Sequence, residues 1–524
     1  MSTVPTTRTN REILADIIDI ALQLRPGSDK RQIARTINSI GDGTPVTPAE
    51  LNSILYERTD RFRYISDAPR LWFTIPTQRS KPTKRKQRRD VELCGPPART
   101  WQTDALKAWR KNDRRGIVEA VTGTGKTRVA ILAAHKMLES GGRVTVVVPT
   151  LDLLDQWHKA IEKALPGQRI GRLGGGSVAS LDECDILITT VQSGHQNRIG
   201  SDKHRALLIA DEVHRYGAEK FAAALQPEFE RRLGLTATLE RLDEGVDEYL
   251  KPYFGKVVFR CGFERAFADE VLSPFRVALV PVPLRAHERV AYDRADERVS
   301  KTRKSLIKDF GCDPYNFGEF MRDVSVLAAG PRDEARETAR AYLSAFTTRK
   351  KTVAEAESKF EALHKLAPLL AASSGSLVFA ETVAGAQRSA EVLDDQGVPT
   401  TSFSSEDDRE TRRALLAEFH AGTLKALAAP RVLDEGIDVP NADVGVIVAA
   451  SRSRRQMIQR MGRVLRKADG KQRATFVVLY VEDSMEDPEI STDETFLDAI
   501  TGFADDITRL DVNDPVTLAR WIRG

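Results

Sequence analysis

Residues 116–127 read Gly-Ile-Val-Glu-Ala-Val-Thr-Gly-Thr-Gly-Lys-Thr, and residues 128–138 continue Arg-Val-Ala-Ile-Leu-Ala-Ala-His-Lys-Met-Leu. The opening four residues are β-prone and the closing eleven have the composition of a helix. A strand, a glycine-containing turn ending in Gly-Lys-Thr and then a helix is the setting of a phosphate-binding loop. Gly123 and Gly125 let the backbone turn its N–H groups toward a phosphate chain. Lys126 is placed to reach β- and γ-phosphates, and the Thr127 hydroxyl to take a Mg²⁺ position. The predicted nucleotide-binding stretch is therefore Ala120, Val121, Thr122, Gly123, Thr124, Gly125, Lys126 and Thr127, with Ala120 where the general pattern has Gly. Alone, this octet also fits an ordinary strand–helix turn, and the remaining motifs decide between the two readings.

The chain has 524 residues, of which 41% are hydrophobic and 29% charged. That is enough for about three or four domains with buried cores. The net charge of +4 excludes a global basic field, so any case for nucleic acid must rest on local clusters. Cys94, Cys184, Cys261 and Cys312 are far apart and form no Cys-x-x-Cys pair. They read as reduced thiols rather than as a disulfide framework or zinc site. No stretch is apolar for long enough to span a membrane, and the first residues have no apolar signal core. The expectation is a cytoplasmic, nucleoid-associated protein with no membrane partner.

Residues 1–78 read as a small helical unit closed by a hairpin. Thr9-Asn10-Arg11-Glu12 is a capping-box start, followed by apolar Ile13, Leu14, Ile17, Ile18 and Ala21. A second helix is predicted over 28–40, with Ile33, Ile37 and Ile40 on one face. Thr47-Pro48-Ala49-Glu50 starts a third, whose buried side is Leu51, Ile54 and Leu55. Arg-Phe-Arg-Tyr-Ile and Leu-Trp-Phe-Thr-Ile then flank a turn. Three helices and a hairpin resemble a winged helix, a module that binds either DNA or protein. Residues 79–93 form a basic linker, read either as a solvated spacer or as a phosphate-touching segment.

Residues 94–262 alternate β-prone and helical runs, the mark of a parallel α/β sheet. Val-Thr-Val-Val-Val-Pro-Thr (144–150) is a buried strand ending at Pro149 and Thr150. Ile-Leu-Ile-Thr-Thr-Val-Gln-Ser (186–193) is another, with Thr190, Gln192 and Ser193 near its end. Leu-Leu-Ile-Ala-Asp-Glu-Val-His (207–214) delivers Asp211 and Glu212 to a sheet edge, and Leu-Gly-Leu-Thr-Ala-Thr (233–238) follows. Open α/β sheets bind ligands at such strand ends. A phosphate loop upstream of two carboxylates completes a metal–phosphate site, with Asp211 for Mg²⁺ and Glu212 to orient and deprotonate water.

From Arg99 to Arg466 the chain resembles a superfamily 2 helicase, most of all its XPB/RadD-type branch. The carriers are the DEVH box 211–214, Leu233–Arg241, Tyr-Leu-Lys-Pro-Tyr-Phe-Gly-Lys-Val-Val-Phe (249–259) and Ala-Asp-Glu-Val-Leu-Ser-Pro-Phe-Arg-Val (268–277). The resemblance implies that Arg99 and Gln102 sit beside the adenine. It also implies that Pro149, Thr150, Thr190, Gln192 and Ser193 grip a nucleic-acid backbone, and that His214, Thr236 and Thr238 link hydrolysis to those contacts. XPB proteins carry Arg-Glu-Asp where this chain has Arg241, Leu242 and Asp243, so the strand-parting role implied for Arg241 lacks its central carboxylate. The XPB damage-recognition domain has no counterpart; the winged-helix-like unit stands in its place.

Residues 263–524 read as a second lobe with a helical, thumb-like insert at about 286–372. Lys301, Arg303, Lys304, Lys308, Arg349, Lys350 and Lys351 are its candidate DNA contacts or solvated helix faces. The strand signals resume at Ser376–Ala380. Leu-Asp-Glu-Gly-Ile-Asp-Val-Pro (433–440) supplies Gly436 for a tight turn and Asp438 for the ribose or coupling. Gln459-Arg460-Met-Gly-Arg463-Val-Leu-Arg466 supplies Gln459 and the arginine fingers Arg463 and Arg466. Residues 484–524 read as helix formers.

The predicted fold class is α/β, with two tandem RecA-like parallel-sheet motor domains, an N-terminal winged-helix-like domain and a helical insert. The implied function is an ATP-dependent DNA helicase or double-strand translocase in repair, replication or recombination, using ATP and Mg²⁺ on duplex or forked DNA. Lys126, Asp211, Glu212, Gln459, Arg463 and Arg466 are its catalytic set. Three alternatives stay open. The chain could be the motor of a restriction or defence system with a nuclease partner, an RNA helicase, or an ATP-switched DNA-binding regulator.

Overall fold

A computed structural model describes residues 10–24, 30–40, 46–47, 50–51, 54–55, 62–65, 71–74, 89–239, 241, 243–404, 406–430, 442–449, 461–467, 470–490 and 502–523. Two compact units divide the chain. One comprises Met1–Ala120 with Gly125–Gly262; the other is Phe263–Gly524, with the loop tip Val121–Thr124 falling to it.

At the start of the first unit are helices α1 (Asn10–Leu24) and α2 (Lys30–Ile40) and an antiparallel hairpin of β1 (Phe62–Ile65) and β2 (Leu71–Thr74). Ala15, Ile18 and Leu22 recur at helical spacing and are buried, and they share a core with Ile33, Ile37, Leu51, Ile54, Leu55 and Phe62. Ile17, predicted on the apolar face, is 39% exposed because it lies one position off that stripe. Ile13 and Ile40 belong to the two helices, but their side chains lie outside the described residues. Thr47 and Glu50 form the predicted reciprocal cap. The Glu50 carboxylate accepts from the Thr47 N–H at 2.9 Å, and the Glu50 N–H donates to the Thr47 hydroxyl at 3.3 Å. These bonds hold the Glu50 carboxyl below its ordinary acidity range. Lys30 pairs with Glu248 and lies 4.7 Å from the centre of the Tyr249 ring, so the module is tied to the segment that follows the Thr-Ala-Thr motif.

The sheet of the first unit uses β3 (Arg115–Ala120), β4 (Arg143–Val148), β5 (Ile170–Gly174), β6 (Ser177–Val178), β7 (Ile186–Thr190), β8 (Ala206–Ala210), β9 (Arg231–Thr236) and β10 (Val257–Cys261). Their order is β10-β3-β9-β8-β4-β7-β5-β6. All neighbours are parallel except β5 and β6. Strands β4, β7 and β8 are buried throughout, as continuous Val/Ile/Leu runs covered on both faces must be. Helix α3 (Thr100–Lys111) precedes β3, and α4 (Lys126–Glu139) and α5 (Leu151–Ala164) supply the crossovers from β3 to β4 and from β4 to β5.

The first strand of the second unit is β11 (Phe275–Val282), which the sequence reading did not place in a sheet. The unit then runs through helices α6 (Ala286–Lys308), α7 (Phe317–Ala329), α8 (Glu334–Ala354) and α9 (Glu357–Ala372). Val299, Leu306, Phe320, Val324, Ala339 and Tyr342 give the insert a small core of its own. Helix α9 instead buries Leu363, Leu366 and Leu370 in the core of the sheet, so the last predicted insert helix is part of the lobe. After it come β12 (Ser376–Ala380), β13 (Thr400–Ser402), β14 (Ala426–Pro430), β15 (Val444–Ile447), β16 (Ala474–Val481) and β17 (Asp506–Arg509). The order is β13-β14-β12-β15-β16-β11-β17, with every described pair parallel. Strand β17 corrects the reading of 484–524 as helical; its mostly exposed Asp-Ile-Thr-Arg carries no apolar run to announce it. Among the described residues, no helix is long and apolar enough to cross a membrane.

Candidate functional site

The phosphate-loop residues leave the C-terminal end of β3 and enter α4. Gly123 and Gly125 have φ of 87° and 93°, a conformation that a side chain resists. The Thr124 hydroxyl donates to the Val121 carbonyl at 2.7 Å, and the Lys126 ammonium donates to the Ala120 carbonyl at 3.0 Å. Both bonds fold the loop back on itself. Lys126 and Thr127 occupy the first turn of α4, where backbone N–H groups and the helix dipole favour an anion. Gln102 is buried; its amide donates to the Gly125 carbonyl at 3.1 Å and accepts from the Arg99 N–H at 2.9 Å. The predicted adenine-side pair is thus fastened directly to the phosphate loop.

Two strands away, β8 delivers Asp211 and Glu212. Asp211 is buried and accepts from the Trp157 indole N–H at 2.8 Å and from the Glu212 N–H at 3.1 Å. Burial, reinforced by the charge of Glu212, pushes its carboxyl up to about 6, while the Lys126 ammonium pulls the other way. Glu212 sits at φ 48°, ψ 52°, a strained conformation for a residue with a Cβ. Its Oε2 is buried without a hydrogen-bond partner and lies 3.6 Å from His214 Nδ1. A divalent cation and a bound triphosphate fit this arrangement. The loop offers N–H groups, the helix start offers a hydroxyl, and the buried Asp211 carboxyl lies beside a Glu212 oxygen that has no hydrogen-bond partner.

The three coupling candidates converge. His214 Nδ1 lies 3.0 Å from the Thr236 hydroxyl, which donates to the Thr238 carbonyl at 2.6 Å. Arg241 adds to this group rather than standing apart. Its guanidinium donates to the His214 carbonyl at 2.5 Å and to both Asp243 carboxylate oxygens at 2.7 and 2.5 Å.

Pro149 is buried at the end of β4, and Thr150 caps α5 by accepting from the Leu153 N–H at 3.3 Å. Thr190 ends β7, and its hydroxyl donates to the Ser193 hydroxyl at 3.1 Å; Gln192 is exposed beside them. A glycine turn joins these two stretches. A Cβ on Gly174, at φ 125°, would lie 3.0 Å from Ser193 Oγ, and one on Gly175 would lie 3.0 Å from the Leu151 side chain. Sequence reading passed over both this Gly-Gly-Gly turn and the Trp157–Asp211 bond. The run of three glycines was the available signal for the first. For the second there was none, because the contact depends on β4 lying next to β8.

In the second unit Arg463 is buried and Arg466 exposed, on and just after a helical turn of residues 461–464. Arg466 forms an antiparallel bridge with Leu272, and the Ser273 N–H donates to the Leu465 carbonyl at 2.8 Å. Gly436, Asp438 and Gln459 lie outside the described residues.

Comparison with known proteins agrees with this geometry. The family described as "Type III restriction enzyme, res subunit" matches residues 96–241, and the helicase conserved C-terminal domain matches residues 358–468. The DNA 3'-5' translocase XPB2 of Sulfurisphaera tokodaii is 30% identical over 372 residues, covering 71% of this chain and 79% of that protein. A Rad25-named relative from Halobacterium salinarum is 28% identical over 371 residues, 69% of this chain but 51% of that protein. Among solved structures, the Hef helicase domain of Pyrococcus furiosus superposes with a TM-score of 0.51 at 17% identity, over 76% of this chain and 98% of that one, a likeness of fold. With its two parallel-sheet lobes, its phosphate loop and its DEVH box, the chain belongs to the XPB-like branch of the superfamily 2 DNA helicases.

Proposed function

We propose that this chain is a DNA motor that hydrolyses ATP to move along or open duplex or forked DNA, in repair, replication or recombination. The observation that carries the reading is buried Asp211 with Glu212 beside it at the end of β8, Asp211 lying under the electrostatic influence of Lys126. A purely structural strand end has no reason to hold a buried carboxyl whose acidity is pushed up beside a second carboxylate on a strained backbone.

The loop 120–127 binds the phosphates through backbone N–H groups, and Lys126 neutralises their charge. Arg99 and Gln102 border the base. Glu212 orients the attacking water and accepts its proton, a role its Oε2, without a hydrogen-bond partner, leaves it able to fill. Thr127 and Asp211 would hold Mg²⁺, which neutralises charge on the phosphate oxygens. Arg463 and Arg466 supply positive charge from the second lobe as the transferring phosphoryl group leaves, and Gln459, Gly436 and Asp438 complete that side. His214, Thr236 and Thr238 relay the state of the nucleotide to Pro149, Thr150, Thr190, Gln192 and Ser193, which contact the nucleic-acid backbone. Alternation between a bound and a released nucleotide state then gives one-way movement by differential binding. The winged-helix-like module recruits the motor to a DNA structure.

ATP turnover measured in parallel with single-stranded DNA, duplex, forked duplex and RNA tests this reading. Stimulation by duplex or forked DNA is expected; stimulation by RNA alone would overturn it. A second reading draws support from the restriction-subunit family match over residues 96–241. In it the chain is the motor of a nuclease assembly, and a nuclease copurifying with the tagged chain is the result expected.

A further inference from the structure

The sequence Ala-Asp-Gly-Lys (468–471), which follows Arg466 and Lys467, carries no motif. Yet the Lys471 side chain turns back into the lobe. Its ammonium donates to the Ala442 carbonyl at 2.8 Å, to the Arg466 carbonyl at 3.1 Å and to the Val464 carbonyl. An ammonium has three N–H donors and no acceptor, and here each donor has a carbonyl. Two of those carbonyls belong to the turn that carries Arg463 and Arg466. The third belongs to Ala442, just before β15. Val464 and Leu465 are fully buried, so the turn has no freedom on its inner side. Its other side is fixed by the Leu272 bridge and by the Ser273–Leu465 bond.

We propose that Lys471 is a positioning residue for ATP hydrolysis. By gathering the carbonyls of Val464, Arg466 and Ala442 it sets the orientation of the arginine pair and ties that turn to the chain entering β15. This rests on the motor reading above. The role needs the charged amine. A neutral amine keeps two donors and turns a lone pair toward the third carbonyl, so one attraction becomes a repulsion. The charged groups facing Lys471 are Asp443, which favours the ammonium, and Arg466, which disfavours it; desolvation outweighs both and pulls the amine down to about 8. The sign follows: the clamp is complete below pH 8 and loosens as pH rises through that value.

The test is DNA-stimulated ATP turnover of the full chain from about pH 6.5 to about pH 9.5, for the wild type, Lys471→Met and Asp443→Asn. The wild-type kcat is expected to fall above about pH 8 toward the level of Lys471→Met. That variant should be about ten- to hundred-fold slower and flat across the alkaline range, as a misplaced catalytic group predicts, with KM for ATP within about two-fold of wild type. Asp443→Asn removes the charge that supports the ammonium but keeps an oxygen for the Ser374 N–H. It should move the alkaline limb to lower pH and decides the matter if Lys471→Met does not fold. Wild-type kcat in Lys471→Met, or an alkaline limb that stays where it is in both variants, would overturn the proposal. Absence of any turnover in the wild type would instead overturn the motor reading, and this role with it.

Discussion

In the first lobe the described candidate side chains of the site, apart from Arg99 and Gln102 on α3, hang from the C-terminal end of a parallel strand or from the turn just after it. The phosphate loop follows β3, Thr150 follows β4, Thr190 ends β7, Asp211 follows β8 and Thr236 ends β9. In the second lobe the described arginine turn lies at the opposite edge. Its partners Leu272 and Ser273 precede β11, and the Lys471 clamp reaches Ala442, which precedes β15. Strand C-termini offer ligand sites because parallel strands and helix N-termini converge there. The N-terminal edge has no such inherent site, so it has to be built from side chains. The first lobe therefore holds its reactive groups by fold geometry, and the second by a half-buried cation and a short bridge. The first arrangement should tolerate loss of individual polar partners better than the second.

The largest expected effect tests the second lobe. Arg466→Ala should lower DNA-stimulated kcat by about 10³-fold, the usual scale for an arginine finger, with little change in thermal midpoint because Arg466 is exposed. A loss smaller than about ten-fold would place the charge-neutralising group elsewhere. Next, Glu212→Gln should lower kcat by about 10²-fold or more while ATP still binds, measured by nucleotide binding alongside turnover. Comparable binding and turnover losses would break the assignment of Glu212 to the chemical step.

A smaller effect sharpens the claim that first-lobe geometry survives loss of a partner. Trp157→Phe removes one donor from Asp211. That N–H favours the ionised carboxyl, so the Asp211 acidity range should move up from about 6. The acid limb of the kcat/KM–pH profile shifts upward with it, and the loss near pH 7 stays within about ten-fold. An acid limb that does not move would show that Asp211 is not the titrating group. The smallest effect falls on stability. A Cβ on Gly445 would lie 2.9 Å from the Phe476 ring and 3.2 Å from Val464 Cγ2. Gly445→Ala should cost about 1–3 kcal/mol by overpacking, read from chemical denaturation. If kcat at full folding also drops, the displaced Val464 has carried the arginine turn with it.

What could be read before folding follows from range. The phosphate loop, the DEVH box and the strands of continuous Val, Ile and Leu are local patterns, and the two-sheet architecture is visible in their alternation. Strand β5 is not, because Gly171 and Gly174 weaken its signal, and β17 is not, because it is mostly exposed. The Trp157–Asp211 bond needs β4 beside β8, and the Lys471 clamp needs residues 442 and 471 at one sheet edge; neither adjacency is written in either segment alone. The resemblance implies a strand-parting role on nucleic acid for Arg241. Its guanidinium is engaged by Asp243 and the His214 carbonyl, partners that only the folded turn brings within reach.

Strand β11 has a consequence for how this chain is made. It pairs along its whole length with β16, Phe275 opposite Ala474 and Val282 opposite Val481, about 200 residues later. At ordinary synthesis rates of about 5–20 residues per second, Phe-Arg-Val-Ala-Leu-Val-Pro-Val leaves the ribosome about 10–40 s before its partner does. The insert, with its own small core, can fold in that interval, but the apolar strand cannot. A ribosome that stalls after the insert therefore releases a finished first lobe, a finished insert and a sticky unpaired strand, and that product is the one a holding chaperone would meet.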